Sequence, residues 1–390
     1  MFNNLMSSYL FDTLEPIAKW VSIGVIGTMI ISLIIIFFNK KESFSKTELV
    51  KTVGGVAVFY AVIMGIVLVV LEMVKKFSSG YLNENWVSEK IIPYVFIPVL
   101  ATLVLTLIGL IILFIIAKKK PDLTKKAGLI VAIICSVAFI TTIILIAIFY
   151  SNNIVGDGYY TGDYGKLNSP VLYILSALLV AVVLAVAFIV GRKNKTPFDT
   201  RTIAMAGVCT ALSFVLSYVK FEGAWLQGGS ITLVSFLPIC LFSYTYGMKK
   251  GLIVGFIYGL LQAIQDPFIV HPAQFLLDYP IAFSMIALSG LLSDLNVLNN
   301  MPRLKFTIGA LLTGTFRYVC HVISGTFAFG AYAADTGATN FLTYSAVYNS
   351  YVFIDIALVI VVGAILLSSK AFNKEIERIN PINIEDTTSE

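Results

Sequence analysis

Apolar residues run along this chain in stretches of roughly twenty, the length that a helix needs to cross a bilayer. Short loops that carry most of the charge separate these stretches. Periodicity does not orient the stretches, because lipid-facing and protein-facing sides are both apolar. The pattern predicts eleven transmembrane helices, near 17–38, 50–74, 91–117, 126–149, 170–191, 202–219, 230–248, 250–266, 274–293, 305–329 and 344–368.

Two details refine the predictions for the third and the first span. The third stretch is longer than a bilayer requires and contains Pro93 and Pro98, which predicts a tilted or kinked start. The first sixteen residues contain no basic residue, so a cleavable signal peptide is not expected. We therefore expect insertion to begin with an uncleaved helix near 17–38.

Composition supports the same class of protein. The chain is 58% hydrophobic and 13% charged, with a mean hydropathy of +0.90, whereas soluble domains carry about 25% charged residues. Stretches of this length indicate helices and not a barrel. The sequence predicts an all-α integral membrane protein, in contact with membrane lipids. The net charge of +5 does not indicate a nucleic-acid partner, because the Lys and Arg residues cluster in short loops.

The positive charges fall on alternate loops, which predicts an orientation. Poorer loops lie between them: 150–169 contains one Lys and 330–343 contains none, although 75–90 is an exception with three. By the positive-inside rule we expect the N-terminus outside and the C-terminus in the cytoplasm, in a multi-pass plasma-membrane protein. The residues that mark the inner side are Lys40, Lys41, Lys46, Lys51, Lys118, Lys119, Lys120, Lys125, Lys126, Arg192, Lys193, Lys195, Arg201, Lys249, Lys250, Arg303, Lys305, Lys370, Lys374 and Arg378.

A charged, Pro-containing segment divides the chain at 192–201, as domain linkers commonly do. Residues 1–191 form a membrane region of about five helices whose role the sequence does not reveal. Residues 202–370 form a six-helix domain, and 371–390 form a cytoplasmic tail. No internal repeat relates the two halves, so an inverted-repeat transporter is not supported.

Catalytic and metal-binding patterns are missing from the sequence. Cys135, Cys209, Cys240 and Cys320 lie inside apolar stretches without a CxxC pair, which favours small buried side chains over disulfides or zinc ligands. The chain has two histidines, no nucleophile–base pair and no GxxxxGK[ST] loop. We therefore expect no enzyme activity, no metal and no cofactor or nucleotide site.

Polar and aromatic residues accumulate between 271 and 349, where membrane segments usually lose them. Ionisable groups in a bilayer cost roughly 2–3 kcal/mol or more and usually face a cavity or pathway. Asp278 is predicted to be either a carboxylate in an outward cavity or a hydrogen-bonded Asp at the membrane interface. His321 reads as a pocket residue or as a packing histidine bonded to a carbonyl. Asp266 and His271 precede prolines and read as structural loop residues.

Other residues of this run suit a flat ligand. Gly325 and Phe329 continue the helix face of His321, and a glycine there makes room against the backbone. Tyr344 and Asn349 open the last span, where an amide offers a donor and an acceptor to an aminopyrimidine-like edge. Trp225 is either an interfacial anchor or a lid over an outward pocket. A carboxylate, aromatic faces and an amide together suit a cationic heteroaromatic molecule.

Small residues mark the first helix of the six-helix domain. Ala206 and Thr210, and Gly207 and Ala211, form small-xxx-small pairs on adjoining faces, which let another helix approach closely. That neighbour is either a span of the same chain or a separate subunit.

Five segments carry a resemblance to a known family: GGSITLVSFLPI, GLIVGFIYGLLQAI, HPAQFLLDYPIAF, FRYVCHVISGTFAFGAYA and YSAVYNSYVFID. From about 200 to 370 the chain resembles the thiamine-specific substrate-binding (S) component of energy-coupling factor (ECF) transporters, and the last six helices resemble its bundle. The resemblance implies that the vitamin is bound by Trp225, Asp278, Tyr279, His321, Gly325, Phe329, Tyr344 and Asn349. It also implies that a coupling subunit docks on Ala206, Gly207, Thr210 and Ala211. Family members carry Glu where this chain has Asp278, and Trp where it has Phe329.

The resemblance implies a mechanism. Such a chain captures thiamine outside and delivers it inward by toppling in the membrane, driven by an ECF transmembrane coupling subunit and an ATPase pair. Two alternatives stay open: a self-sufficient transporter in which His321 or Asp278 carries protons, and a thiamine-sensing membrane receptor. The sequence does not decide between thiamine, its phosphates and a pyrimidine precursor as the ligand.

Overall fold

The computed structural model describes residues 92–149, 151–152, 198–221, 230–265, 271–328 and 341–379, with isolated positions between 174 and 194. These residues are mainly helical. The elements are a first pair of helices, α1 (Ile97–Lys119) and α2 (Thr124–Phe149), then α3 (Thr200–Leu216), β1 (Lys220–Phe221), β2 (Ile231–Thr232), α4 (Leu237–Tyr246), α5 (Met248–Gln265), α6 (Pro272–Asp294), α7 (Pro302–Ala328), α8 (Phe341–Tyr348), α9 (Tyr351–Leu366) and α10 (Lys370–Ile379).

Helices α1 and α2 form an antiparallel hairpin. A π-helical turn, Ile92–Phe96, precedes α1, and Pro98 stands in its first turn, so the predicted irregular start is confirmed. Inside the hairpin Thr102 Oγ1 lies 2.9 Å from Thr142 Oγ1, and the Thr142 hydroxyl is 3.0 Å from the Pro98 carbonyl. The hairpin thus satisfies the hydroxyl groups of Thr102 and Thr142 internally, while many Ile and Leu side chains point outward.

The described helices match five of the eleven predicted spans and correct one. Five of them are long and apolar enough to cross a membrane: Pro93–Leu113, Lys126–Phe149, Pro272–Asp294, Pro302–Thr326 and Leu342–Leu366. The predicted span at 230–248 is wrong, because α4 has ten residues and begins at Leu237 after the short strand β2. The predicted spans 17–38 and 50–74 lie outside the described residues, and 170–191 is described at isolated, helical positions.

Glycines on α5 bring it against the backbone of α6. A Cβ atom on Gly259 would lie 2.6 Å from the Tyr279 carbonyl oxygen, and one on Gly255 would collide with the carbonyl of Phe283. Small residues permit this close approach where lipid provides no hydrophobic drive. Opposite them, α6 widens into a π-helical turn, Leu277–Ile281, that contains Pro280. This turn carries Asp278 and Tyr279.

Three apolar clusters hold the described helices together, and the third joins α5, α6 and α7. The first joins α3, α4, α5, α6, α7 and α9, and it also takes Ile376 from α10. The second joins the hairpin to the rest of the chain, because Val99, Leu103 and Phe149 pack with Ile264 and Phe275 of α5 and α6. The hairpin and the following helices therefore share a core.

The C-terminal helix α10 was not predicted. Its apolar residues Phe372 and Ile376 are one helical turn apart and face the first cluster, while its charged residues face outward. The Asn373 side chain donates to the Leu367 carbonyl at 2.6 Å and fixes the turn after α9. The segment that was expected to be a plain tail thus begins as a packed helix.

Candidate functional site

A polar cavity of about 210 Å³ lies where α5, α6, α7, α8 and α9 meet the two short strands and the segment before α4. Described charged or hydrogen-bonding side chains supply most of its wall. Its lining residues are Lys220, Ser230, Thr232, Ser235, Phe236, Gln262, Gln274, Asp278, Tyr279, Phe283, Arg317, His321, Gly325, Tyr348, Asn349, Tyr351 and Asp355. Such a concentration of polar groups inside a helical membrane bundle is costly, and it usually marks a binding site or pathway.

Asp278 is half-buried and held between two neutral partners. The amide of Gln274, one turn earlier on α6, donates to its Oδ2 at 2.8 Å, and His321 Nδ1 lies 2.8 Å from its Oδ1. The carboxylate side chain remains 18% exposed to the cavity. Gln274 and His321 can both make these hydrogen bonds while neutral. The carboxylate charge is then not compensated by either of them and can attract a cationic group of a ligand.

His321 is buried on α7 and presents one nitrogen without a partner. An ionised carboxylate only accepts hydrogen bonds, so the proton of a neutral ring belongs on Nδ1, facing Asp278. Among the described residues Nε2 then has no hydrogen-bond partner. A buried nitrogen left in this way is an acceptor for an N–H or O–H group of a ligand.

Asn349 uses its donor group within the protein. Its Nδ2 donates to the carbonyl oxygens of Ser345 at 2.9 Å and of His321 at 3.2 Å. The amide NH₂ is therefore committed to joining α8 to α7, and the Oδ1 atom is the part of the side chain that can serve a ligand. Sequence reasoning expected both a donor and an acceptor; the geometry favours the acceptor.

Gly325 lines the cavity, but a neighbouring helix uses the space that it leaves. A Cβ atom there would collide with the Ser345 hydroxyl and lie 3.3 Å from Asn349 Nδ2. The glycine thus lets α8 close on α7 and so places Asn349. The expected contact of Gly325 with a flat ring stays a prediction.

A buried ion pair at the base of the cavity escaped the sequence analysis. Arg317 Nη1 lies 3.5 Å from Asp355 Oδ2, with side-chain exposures of 9% and 2%. The guanidinium is held between aromatic rings, with its Cζ 4.5 Å from the Phe236 centroid and 4.8 Å from that of Phe283. The signal was present, because Arg317 stands one turn before His321 and Asp355 interrupts an apolar span.

The same carboxylate ties the β-ribbon to the bundle. Asp355 Oδ1 accepts from the Thr232 backbone N–H at 3.0 Å and lies 3.3 Å from the Thr232 hydroxyl. Thr232 pairs with Lys220 in the antiparallel register of β1 and β2. The segment between these strands, 222–229, contains Trp225 and lies outside the described residues. Asp355 therefore anchors β2 to α9.

Of the remaining predicted site residues, two are described by the structure and two are not. Tyr279 lines the cavity beside Asp278. Tyr344 stacks on Tyr348 with a centroid distance of 6.3 Å, and of these two it is Tyr348 that lines the cavity. Trp225 and Phe329 lie outside the described residues, as does Asp266.

His271 has the structural position that was expected. It is buried, and its Nδ1 accepts from the Ala273 backbone N–H at 3.1 Å, so that it caps the start of α6. Burial lowers the pKa of His271 to about 4. The side chain therefore stays neutral and keeps the lone pair that the cap needs.

The small-residue face of α3 is partly open among the described residues: Gly207 is exposed, whereas Ala206 packs against the first apolar cluster. A Cβ atom on Gly207 would meet no described atom within 4 Å. Thr210 turns its hydroxyl back to the Ala206 carbonyl at 2.8 Å, which keeps the face free of unsatisfied polar atoms. All four cysteines are free thiols, as predicted.

Known proteins match this part of the chain. The model of the thiamine transporter protein family (Thia_YuaJ) matches residues 203–375. The thiamine transporter ThiT of Bacillus subtilis (strain 168) is 36% identical over 167 residues, which is 40% of this chain and 84% of that protein. ThiT of Lacticaseibacillus paracasei is 30% identical over 177 residues, or 42% and 84%. A solved structure of ThiT from Listeria monocytogenes, 23% identical, covers 44% of this chain and 95% of its own, with a TM-score of 0.39.

Apolar helices around a polar cavity define a multi-pass membrane protein that transports a small solute and is not an enzyme. The sequence identity extends over most of the length of both ThiT relatives, which establishes the particular family. The chain belongs to the thiamine transporter family (Thia_YuaJ).

Proposed function

We propose that this chain takes up thiamine, capturing it in the cavity that Asp278, His321 and Asn349 line. The observation that carries the proposal is the Asp278 carboxylate, which faces the cavity with neutral partners only. Thiamine joins a cationic ring to an aminopyrimidine. A carboxylate and aromatic faces stabilise the cation, and the free acceptors of His321 and Asn349 suit an amino group.

The pocket faces outward in this proposal. The loops that lead into Lys249 and Lys250 of α5 and into Arg303 of α7 lie at one end of these helices, and the cavity residues Gln262 and His321 lie towards the other end. Under the positive-inside rule those loops are cytoplasmic, which places the cavity nearer the outer surface. The N-terminus is then outside and the C-terminus inside.

The further step of the proposal concerns energy and partners. A separate transmembrane coupling subunit with an ATPase pair, as in ECF transporters, drives release on the inner side. The exposed Gly207, on the face of Ala206, Gly207, Thr210 and Ala211, supports this, since a second helix can approach it at close range. The six-helix domain of 202–370 is the binding module, and the five-helix region of 1–191 is an added membrane unit.

One observation favours a second candidate, a proton-coupled transporter. The His321–Asp278 contact of 2.8 Å joins two titratable groups inside the bundle, which is the arrangement that proton-coupled carriers use. Proteoliposomes separate the two: uptake by the lone chain under a proton gradient supports coupling to protons. Uptake that requires ATP and the partner subunits supports the ECF mechanism.

Binding by the purified chain tests the site itself. We expect Asp278→Ala and Asn349→Ala each to weaken thiamine binding by about 1–3 kcal/mol, since each removes a polar partner from a buried site. Isothermal titration measures this, with Thr102→Val in the hairpin as a control that keeps full affinity. Unchanged affinity in both variants would remove these residues from the site. Titrations with thiamine phosphates and with the pyrimidine alone identify the ligand form.

A further inference from the structure

A second cavity, distinct from the thiamine site, lies at the opposite end of the helices. It has a volume of about 540 Å³ and lies between the end of α6, the start of α7 and the C-terminal helix α10. Binding cavities for small organic molecules are typically about 300–1,000 Å³. The cavity is therefore large enough for a small organic ligand or a lipid head group.

A buried lysine forms the inner wall of this cavity. Lys305 is 7% exposed, and its Nζ donates to Asn299 Oδ1 at 2.8 Å and lies 5.6 Å from the Tyr244 ring centroid. An ammonium group has three donors, so two are left. Among the described residues no carboxylate oxygen lies within ion-pair distance of it. A buried charge in this state is costly unless another group compensates it.

The nearby carboxylates do not neutralise this site. Asp294 acts on Lys305 through space, but its own oxygens accept from Asn194 Nδ2 at 3.0 Å and from the Met248 N–H at 2.8 Å. Glu377 lies on the rim. Glu375 is held by Arg378 at 2.8 Å and does not line the cavity.

Two further cations complete the wall. Lys370 and Lys374 lie one turn apart on α10 and both line the cavity. Helix α10 is fixed there, because Ile376 is buried in the main core and Asn373 is bonded to the end of α9. Three lysines from two helices thus line one cavity together with one carboxylate residue, Glu377.

We propose that this cavity binds a phosphate-bearing anion, either a soluble phosphate compound or the head group of an anionic lipid. Lysines bind phosphate as point charges, and several of them from different directions match its tetrahedral oxygens. Basic pockets between membrane helices on the cytoplasmic side bind anionic head groups by the same chemistry. The bound anion would compensate Lys305 and join α10 to α7.

Substitutions of the lysines test this site. Lys305→Gln removes the buried charge, and the double variant Lys370→Gln/Lys374→Gln removes the two exposed charges without touching the core. Lys119→Gln/Lys120→Gln is the matched control, because it removes two exposed lysines from a loop that does not line the cavity. Thiamine titration checks that each variant is folded, since none of these residues belongs to the thiamine site.

Inorganic pyrophosphate is the soluble probe, titrated into the full-length chain in detergent. We expect saturable binding that Lys305→Gln weakens by about tenfold and the double variant by about as much, as the loss of charge-assisted hydrogen bonds predicts. The control variant should bind like the wild type. In a second arm, thermal unfolding is compared in nanodiscs of phosphatidylcholine with and without phosphatidylglycerol.

The two arms distinguish the sources of the anion. Pyrophosphate binding that depends on the lysines identifies a soluble phosphate compound as the ligand. Lysine-dependent stabilisation by phosphatidylglycerol, without pyrophosphate binding, identifies a lipid head group. Either supports the site. No effect in either arm, or equal losses in the control and the cavity variants, would overturn it.

Discussion

The helical hairpin of α1 and α2 and the bundle that follows it show two ways to build apolar membrane helices. The fully buried polar side chains of the described hairpin helices are Thr102 and Thr142, whose hydroxyl groups bond to each other. The bundle buries Arg317, Asp355 and His321, and these surround a cavity. Hydropathy marks spans in both regions. The difference teaches that the buried ionisable groups, and not hydropathy, mark the functional region. Each of these groups is bonded to another side chain of the bundle.

The largest expected effect comes from breaking the ion pair in the bundle. Arg317→Met leaves Asp355 buried without its cation, and loss of one member of a buried pair costs about 3–5 kcal/mol. The free energy of unfolding, measured by denaturant titration in micelles, checks this. Arg317→Met/Asp355→Asn should recover much of the loss, because the amide oxygen still accepts from Thr232. A single variant as stable as the wild type would contradict the comparison.

The bundle should also supply an acid-sensitive step that the hairpin lacks. His271 has its pKa lowered by burial to about 4, against about 6.5 in the unfolded chain, so the native state favours the neutral ring. Its contribution is complete above pH 6.5 and is lost as the pH falls through 4, by about 3 kcal/mol in all. Thermal unfolding across this range measures the loss. His271→Asn keeps a side-chain cap and should flatten the profile; an unchanged profile would show that His271 is not responsible.

Glycine substitutions compare the packing of the two regions. Gly259→Ala pushes a methyl group onto the Tyr279 carbonyl, so we expect a loss of about 1–3 kcal/mol and weaker thiamine binding. In the hairpin a Cβ atom on Gly128 would lie 3.9 Å from the Leu113 Cδ2 atom, an ordinary contact. Gly128→Ala should therefore be neutral or stabilising by up to about 1 kcal/mol. If Gly259→Ala lost no more stability than Gly128→Ala, the result would argue against close packing of α5 on α6.

The smallest effect is expected in the hairpin itself. Thr142→Val removes the Thr102–Thr142 hydrogen bond, and such bonds between membrane helices average about 0.6 kcal/mol. Denaturant titration should show a loss of this size, with full thiamine affinity. A loss as large as that of Arg317→Met would remove the distinction between the two regions.

Sequence reasoning grouped several cavity residues because polar groups are rare in membrane helices. Asp278, His321 and Asn349 stand out against apolar neighbours, and the structure brings them to one cavity. Arg317 and Asp355 carried the same signal, but sequence gives no distance between α7 and α9. Their pairing depends on how those helices cross.

Other features depended on tertiary packing. The segment before α4 is as apolar as a span, yet Asp355 holds Thr232 in an extended ribbon, so α4 starts late. For α10 the one-turn spacing of Phe372 and Ile376 was a visible signal. The direction of the Asn349 amide could not be predicted, because it is set by carbonyl groups of Ser345 and His321.

In the proposed transport cycle, the apolar cluster that packs the hairpin against α5 and α6 would enlarge the body that moves. Val99, Leu103 and Phe149 share a core with Ile264 and Phe275, so any tilt of the six-helix domain carries two more helices with it. A wider body displaces more lipid as it turns. In the proposed cycle, the thickness and fluidity of the surrounding bilayer therefore set the rate of uptake more strongly than they would for a six-helix carrier.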